Sequence, residues 1–106
     1  MKYVNLFIIR EIIESLGDLT NNNLLWYSHY NKLGEKYNNN IQLIKNLWDS
    51  IYCIDYDILP YFIQDLEDII SNSTEILNDI QKDTIIYKLS YFKNLENISN
   101  NYIYEC

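Results

Sequence analysis

The sequence predicts an all-α fold, an up-and-down bundle of four to five amphipathic helices forming a single domain over residues 1–106. Three observations lead there. Apolar residues recur three and four apart along most of the chain. The connectors between these stretches are short and rich in Asn, a turn former. One Pro and two Gly leave few obligatory breaks. A chain of 106 residues holds one core, and folding at this size buries roughly two-thirds of the unfolded surface. Eleven Tyr, three Phe and two Trp are too many aromatics for a disordered tail.

The elements follow in order. Val4, Ile8, Ile9, Ile12, Ile13 and Leu16 give a first helix its apolar face, with Arg10, Glu11 and Glu14 opposite and Gly17 as its stop. A strand through Tyr3–Ile9 followed by a helix is the alternative, because short apolar runs fit both periods. Asp18–Asn23 connects to a helix over Leu24–Tyr37 carrying Leu25, Trp26, His29, Tyr30, Leu33 and Tyr37, closed by Asn38–Asn40. Ile41, Ile44, Leu47, Trp48, Ile51 and Cys53 or Ile54 build a third helix. Leu59, Phe62, Ile63, Leu66, Ile69 and Ile70 form the stripe of a fourth, with Asp57 at its N-cap and Pro60 in its first turn. A last helix begins at Asn72 or Ser73. It runs either unbroken to about Asn97 or as two helices parted near Asp83. Ser99–Cys106 is a loosely packed tail.

Charge is distributed unevenly over these elements. Residues 55–83 hold Asp55, Asp57, Asp65, Glu67, Asp68, Glu75, Asp79 and Asp83 against Lys82 alone, whereas acids and bases balance on either side. The net charge of −7 is therefore one local patch. On the expected helices Asp65 and Asp68 lie opposite the apolar stripe, and Glu75, Asp79 and Asp83 recur at i, i+4 and i+8. Like charges at that spacing weaken a helix slightly. Acidic faces also serve solubility, and acids near helix N-termini complement the macrodipole. Tyr56 and Tyr61 sit inside the acidic run, and aromatics beside carboxylates are the composition of a protein-binding hot spot. Tyr30, Tyr37, Tyr52, Tyr87 and Tyr91, at helical spacing, read as core or core-edge residues.

Motifs for chemistry are lacking. His29 is the only histidine and reads as a core-edge residue. No Cys/His spacing suits zinc, and Gly17 and Gly34 are isolated, so no phosphate loop is expected. The acids lack an EF-hand order, and no metal or other cofactor is expected. Direct nucleic-acid binding is disfavoured, because the patch repels phosphate. Cys53 and Cys106 make no disulfide framework and fit a reducing cytoplasm. The first residues, with Asn5 and Arg10 breaking the apolar run, read as neither a signal peptide nor a membrane span. Ala is absent and Asn, Ile, Tyr and Lys abound, a bias of A/T-rich codons that suits a mobile or viral element.

The expected function is binding rather than catalysis: an inhibitor that docks a basic protein through Asp55, Tyr56, Asp57, Tyr61, Asp65, Asp68, Glu75, Asp79 and Asp83. In its length, its acidity and the carboxylate rows Asp65, Asp68, Glu75, Asp79 and Asp83, the chain resembles the small acidic immunity proteins that accompany contact-dependent-inhibition or colicin-type toxins in bacteria. That resemblance implies neutralisation of a cognate toxin, a nuclease in the simplest case, by direct contact in the cytoplasm. Two alternatives remain open. One is a phage or viral inhibitor, a DNA mimic acting on a host nucleic-acid machine. The other is a structural adaptor bundle with an aromatic homodimer interface at Trp26, Tyr30 and Trp48, whereas the inhibitor itself is expected as a monomer or weak homodimer.

Overall fold

β-branched and aromatic residues crowd three short stretches, Tyr3–Val4, Ile41–Ile44 and Ile51–Ile54, and a fourth at Ile103–Tyr104; such residues fit a pleated, half-buried surface better than a helix. All four stretches are strands. The computed structural model describes residues 1–14, 31–45, 48, 50–72 and 78–105. Strands β1 (Lys2–Asn5), β2 (Ile41–Lys45), β3 (Ser50–Asp55) and β4 (Ile103–Glu105) form one antiparallel sheet in the order β2-β3-β1-β4. The helices are α1 (Phe7–Glu14), α2 (residues 31–36), α3 (Leu59–Asn72) and α4 (Asp79–Lys93). The fold is mixed α/β, so the expected all-α helical bundle is overturned.

Three segments account for the correction. The expected helix over Ile41–Ile54 is the hairpin β2–β3, in which Lys45 pairs with Ser50 and Ile41 with Ile54. Its spacing of three and four satisfied the helical template only because Ile recurs often enough to satisfy period two as well. The alternative strand at the N-terminus is present as β1, shorter than Tyr3–Ile9. Asn5 ends it: its side-chain oxygen accepts the Phe7 N–H at 2.9 Å and turns the chain directly into α1. The expected loose tail is β4, which pairs Ile103 with Val4 and Tyr104 with Tyr3. Before it, Asn94 and Ser99 accept backbone N–H groups of Glu96 and Asn101, and the Asn97 amide donates to the Tyr91 carbonyl at the end of α4. These Asn and Ser residues shape tight turns rather than fray.

Side-chain alternation decides the layers. Val4 and Ile54 are fully buried, with Ile41 and Ile103 packed beside them in the same core as the helices. Register places these four on one sheet face. Cys53, one position off, lies fully buried on the other face. From the helices the core takes Ile8, Ile9, Leu33, Leu59, Phe62, Ile63, Leu66, Ile70, Ile85 and Leu89.

The helix read from Leu59 onward is present as α3, with Pro60 in its first turn; its opening carbonyl belongs to Ile58, which accepts the Phe62 N–H, one residue after the expected cap at Asp57. α4 starts at Asp79, where the Asn78 carbonyl accepts the Lys82 N–H, and passes through Asp83 without a break. Asn72, one expected start of the last helix, belongs instead to α3; Ser73, the other, like Gly17, His29, Glu75, Cys106 and most of the helix expected over Leu24–Tyr37, lies outside the described residues. No helix among the described residues is long and apolar enough to cross a membrane.

Candidate docking face on the helix pair

α3 lies between two neighbours, and its carboxylates divide among them by helical angle. Asp65 sits on the flank toward α2. Its Oδ2 accepts the Lys36 ammonium at 2.6 Å and the Tyr37 hydroxyl at 2.5 Å, beside the contact of the Tyr37 and Phe62 rings, whose centroids are 5.6 Å apart. The bond from Lys36, then that from Tyr37, holds the Asp65 carboxyl below its usual range against the opposing effect of burial. Burial first, then Asp65's acceptance of its proton, pushes the Tyr37 phenol up to about 12. Glu67 sits on the opposite flank, 5 % exposed, accepting from Ser90 Oγ at 2.6 Å and Lys93 Nζ at 2.8 Å.

Lys93 also donates to Gln64 at 3.1 Å, and Gln64 donates to Asp68. The pairings 64 with 93 and 67 with 90 run in opposite senses, so α3 and α4 are antiparallel. This chain of bonds draws Lys93 inward between the helices. Lys82 and Lys88 are likewise half-buried.

What remains outward is consistent in character. The exposed residues of α3 are Tyr61, Gln64, Asp68, Ser71 and Asn72; those described on α4 are Asp79, Ile80, Asp83, Tyr87 and Tyr91. Among the described residues, no Lys or Arg of either helix is exposed. The outer face of the pair therefore combines three carboxylates with three tyrosines and an isoleucine. Exposed tyrosines and an isoleucine thus share this face with carboxylates.

The nine residues expected at the site separate accordingly. Tyr61, Asp68, Asp79 and Asp83 are brought to this face, and Asp57 is exposed in the turn before α3. Asp65 is engaged by α2. Asp55 alternates with Ile54, so it lies on the far face of the sheet, where it accepts from Asn40 at 3.0 Å. Tyr56 packs against the core with the Lys2 ammonium 5.4 Å from its ring. Glu75 lies outside the described residues.

Ile80, Tyr87 and Tyr91 are the residues missed. Tyr87 and Tyr91 were expected in or beside the core, yet they are 79 % and 57 % exposed, and Ile80 is 77 % exposed. Their signal was a second apolar stripe. Positions 80, 87 and 91 fall together on a helical wheel, roughly opposite Ile85 and Leu89. Tyr52 was likewise expected at the core edge and is exposed on β3.

Beside Tyr87 and Tyr91 an open groove of about 340 Å³ runs between α1 and α4. Ile8 and Phe92 line it with the two tyrosines, and Glu11, Lys88 and Tyr102 complete it. The Tyr102 hydroxyl donates to Glu11 Oε2, a bond that raises the phenol above its ordinary value. No protein-family model, curated protein or solved structure matches this chain.

Proposed function

We propose that this chain is a binding protein, not an enzyme, and that it inhibits a basic protein partner by docking it on the outer face of α3 and α4. The observation that carries this reading is the absence of any exposed Lys or Arg among the described residues of two helices that expose Asp68, Asp79 and Asp83 together with Tyr61, Ile80, Tyr87 and Tyr91. Concentrated negative charge speeds capture of a cationic surface, and the aromatics supply desolvated contact that slows release. A cytoplasmic immunity protein facing a nuclease toxin would use it in this way. Carboxylates on the face would occupy the phosphate's place among the toxin's Lys and Arg.

The test is complex formation with the product of the neighbouring gene, across a salt titration, for the wild type and the triple variant D68K/D79K/D83K. Binding that weakens steeply with salt and is lost in the variant supports the reading. Tight binding indifferent to both removes it. Asp65 is left unchanged in this test, because its substitution disturbs the contact with α2.

A homodimer is the second reading, favoured by one feature. Trp48 is 87 % exposed next to β2–β3, where the cross-strand pair Leu43 and Tyr52 is also exposed. Trp26 and Tyr30 lie outside the described residues. A dimer that persists in high salt and dissociates on Trp48→Ala would favour this interface over the acidic face.

A further inference from the structure

We propose that the groove between α1 and α4 is the anchor site for an arginine side chain of the basic partner, an inference that rests on the docking reading above. The groove adjoins the outer face along Tyr87 and Tyr91, so a partner seated on α3 and α4 reaches it without a second surface. Its volume of about 340 Å³ is at the small end of the roughly 300–1,000 Å³ of ligand pockets, suited to one side chain rather than a helix.

The lining matches the two parts of arginine. Half-buried Phe92, backed by the buried Ile8, offers apolar surface to the methylene stem. Tyr87 and Tyr91 line the groove, and a tyrosine ring can stack on a planar cation, which favours guanidinium over the more strongly hydrated ammonium. Glu11 then supplies the counter-charge. Tyr102 donates to one of its oxygens, which orients the carboxylate. A carboxylate accepts at both oxygens, so capacity for a forked donor remains.

Asp83 shares the exposed side of α4 one turn before Tyr87, so the negative charge beside the groove disfavours an anionic guest. Lys88 also lines the groove, and its ammonium opposes a cation. The two charged residues thus give predictions of opposite sign: Glu11 favours arginine, whereas Lys88 does not.

The experiment is an NMR titration of the whole chain with three probes: N-acetyl-arginine methylamide, the norleucine analogue and the glutamate analogue. The expected result is saturable shifts at Glu11, Lys88 and Tyr91 with the arginine probe alone. Glu11→Gln should weaken that binding by about tenfold, the effect of replacing a charge-assisted hydrogen bond by a neutral one. Lys88→Gln should tighten it. Glu11 is exposed, so the variant should keep the fold, checked by superposable spectra away from the groove.

Equal binding of the norleucine probe, preference for the glutamate probe, indifference to Glu11→Gln, or no saturable shift would each overturn the assignment. The failures are separable. A partner complex lost in D68K/D79K/D83K while the arginine probe ignores the groove would defeat the anchor alone. A salt-indifferent complex would defeat the docking reading, whatever the probe does.

Discussion

Asp65 and Glu67 are two positions apart on one helix, and their fates differ from that of Asp68 because of a rotation of 100° per residue. Asp65 meets Lys36 and Tyr37, Glu67 meets Ser90 and Lys93, and Asp68 meets solvent. Asp65→Asn should destabilise the fold by about 1–3 kcal/mol, as loss of hydrogen bonds to a charged group does. The lower part of that range is expected, since the Lys36 side chain is 61 % exposed and water screens its share. Chemical denaturation measures it. Because folding lowers the Asp65 pKa, its stabilisation is complete above about pH 4 and is lost as pH falls through the folded value. Tyr37 works at the other limit. Its folded pKa of about 12 lies above the ordinary 10.0, so stability is lost as pH rises between them. Denaturation midpoints should fall at both extremes, and Asp65→Asn should flatten the acid limb while Tyr37→Phe flattens part of the alkaline one. Glu67→Ala removes a nearly buried carboxylate and its bonds to Ser90 and Lys93 and should cost about 1–3 kcal/mol, limited because Lys93 keeps access to water and to Gln64.

At the scale of the element, α4 is apolar on two opposed sides, and only one of them supports the fold. Leu89→Ala empties core volume and should cost about 2–5 kcal/mol. Tyr87→Ser with Tyr91→Ser should change stability by only about 0.5 kcal/mol at each exposed site, while sharply weakening the complex. Thermal melts and binding assays on the same variants separate the two sides. The α3 stripe was legible in the sequence because Leu59, Phe62, Ile63, Leu66 and Ile70 make a single face bounded by Pro60. α4 was misread in part because a stripe records that residues are apolar, not which of two surfaces covers them. The sheet was harder still. Val4 pairs with Ile54 on one side and Ile103 on the other, partners about fifty and a hundred positions away that no local window contains. Amide exchange offers a direct check, since an all-α bundle with a loose tail would leave Tyr104 rapidly exchanging, whereas β4 pairing should protect it.

For the whole molecule, the surplus charge sets how it meets other macromolecules. A basic partner should associate faster at low ionic strength, with the rate falling steeply as salt rises; stopped-flow measurement on wild type and D68K/D79K/D83K should show the slope shrinking in the variant. The sequence alone determined the acidic run at residues 55–83 and the course of α3, because composition and short-range periodicity encode them. Tertiary structure decided the sheet, since strand pairing joins segments distant in the chain. It also decided which charges are available: Lys36 and Lys93 engage Asp65 and Glu67 internally, while Asp68, Asp79 and Asp83 stay in water beside Tyr87 and Tyr91. A count of charges along a chain cannot make that distinction, because it depends on which side chains folding brings within about 3 Å of one another.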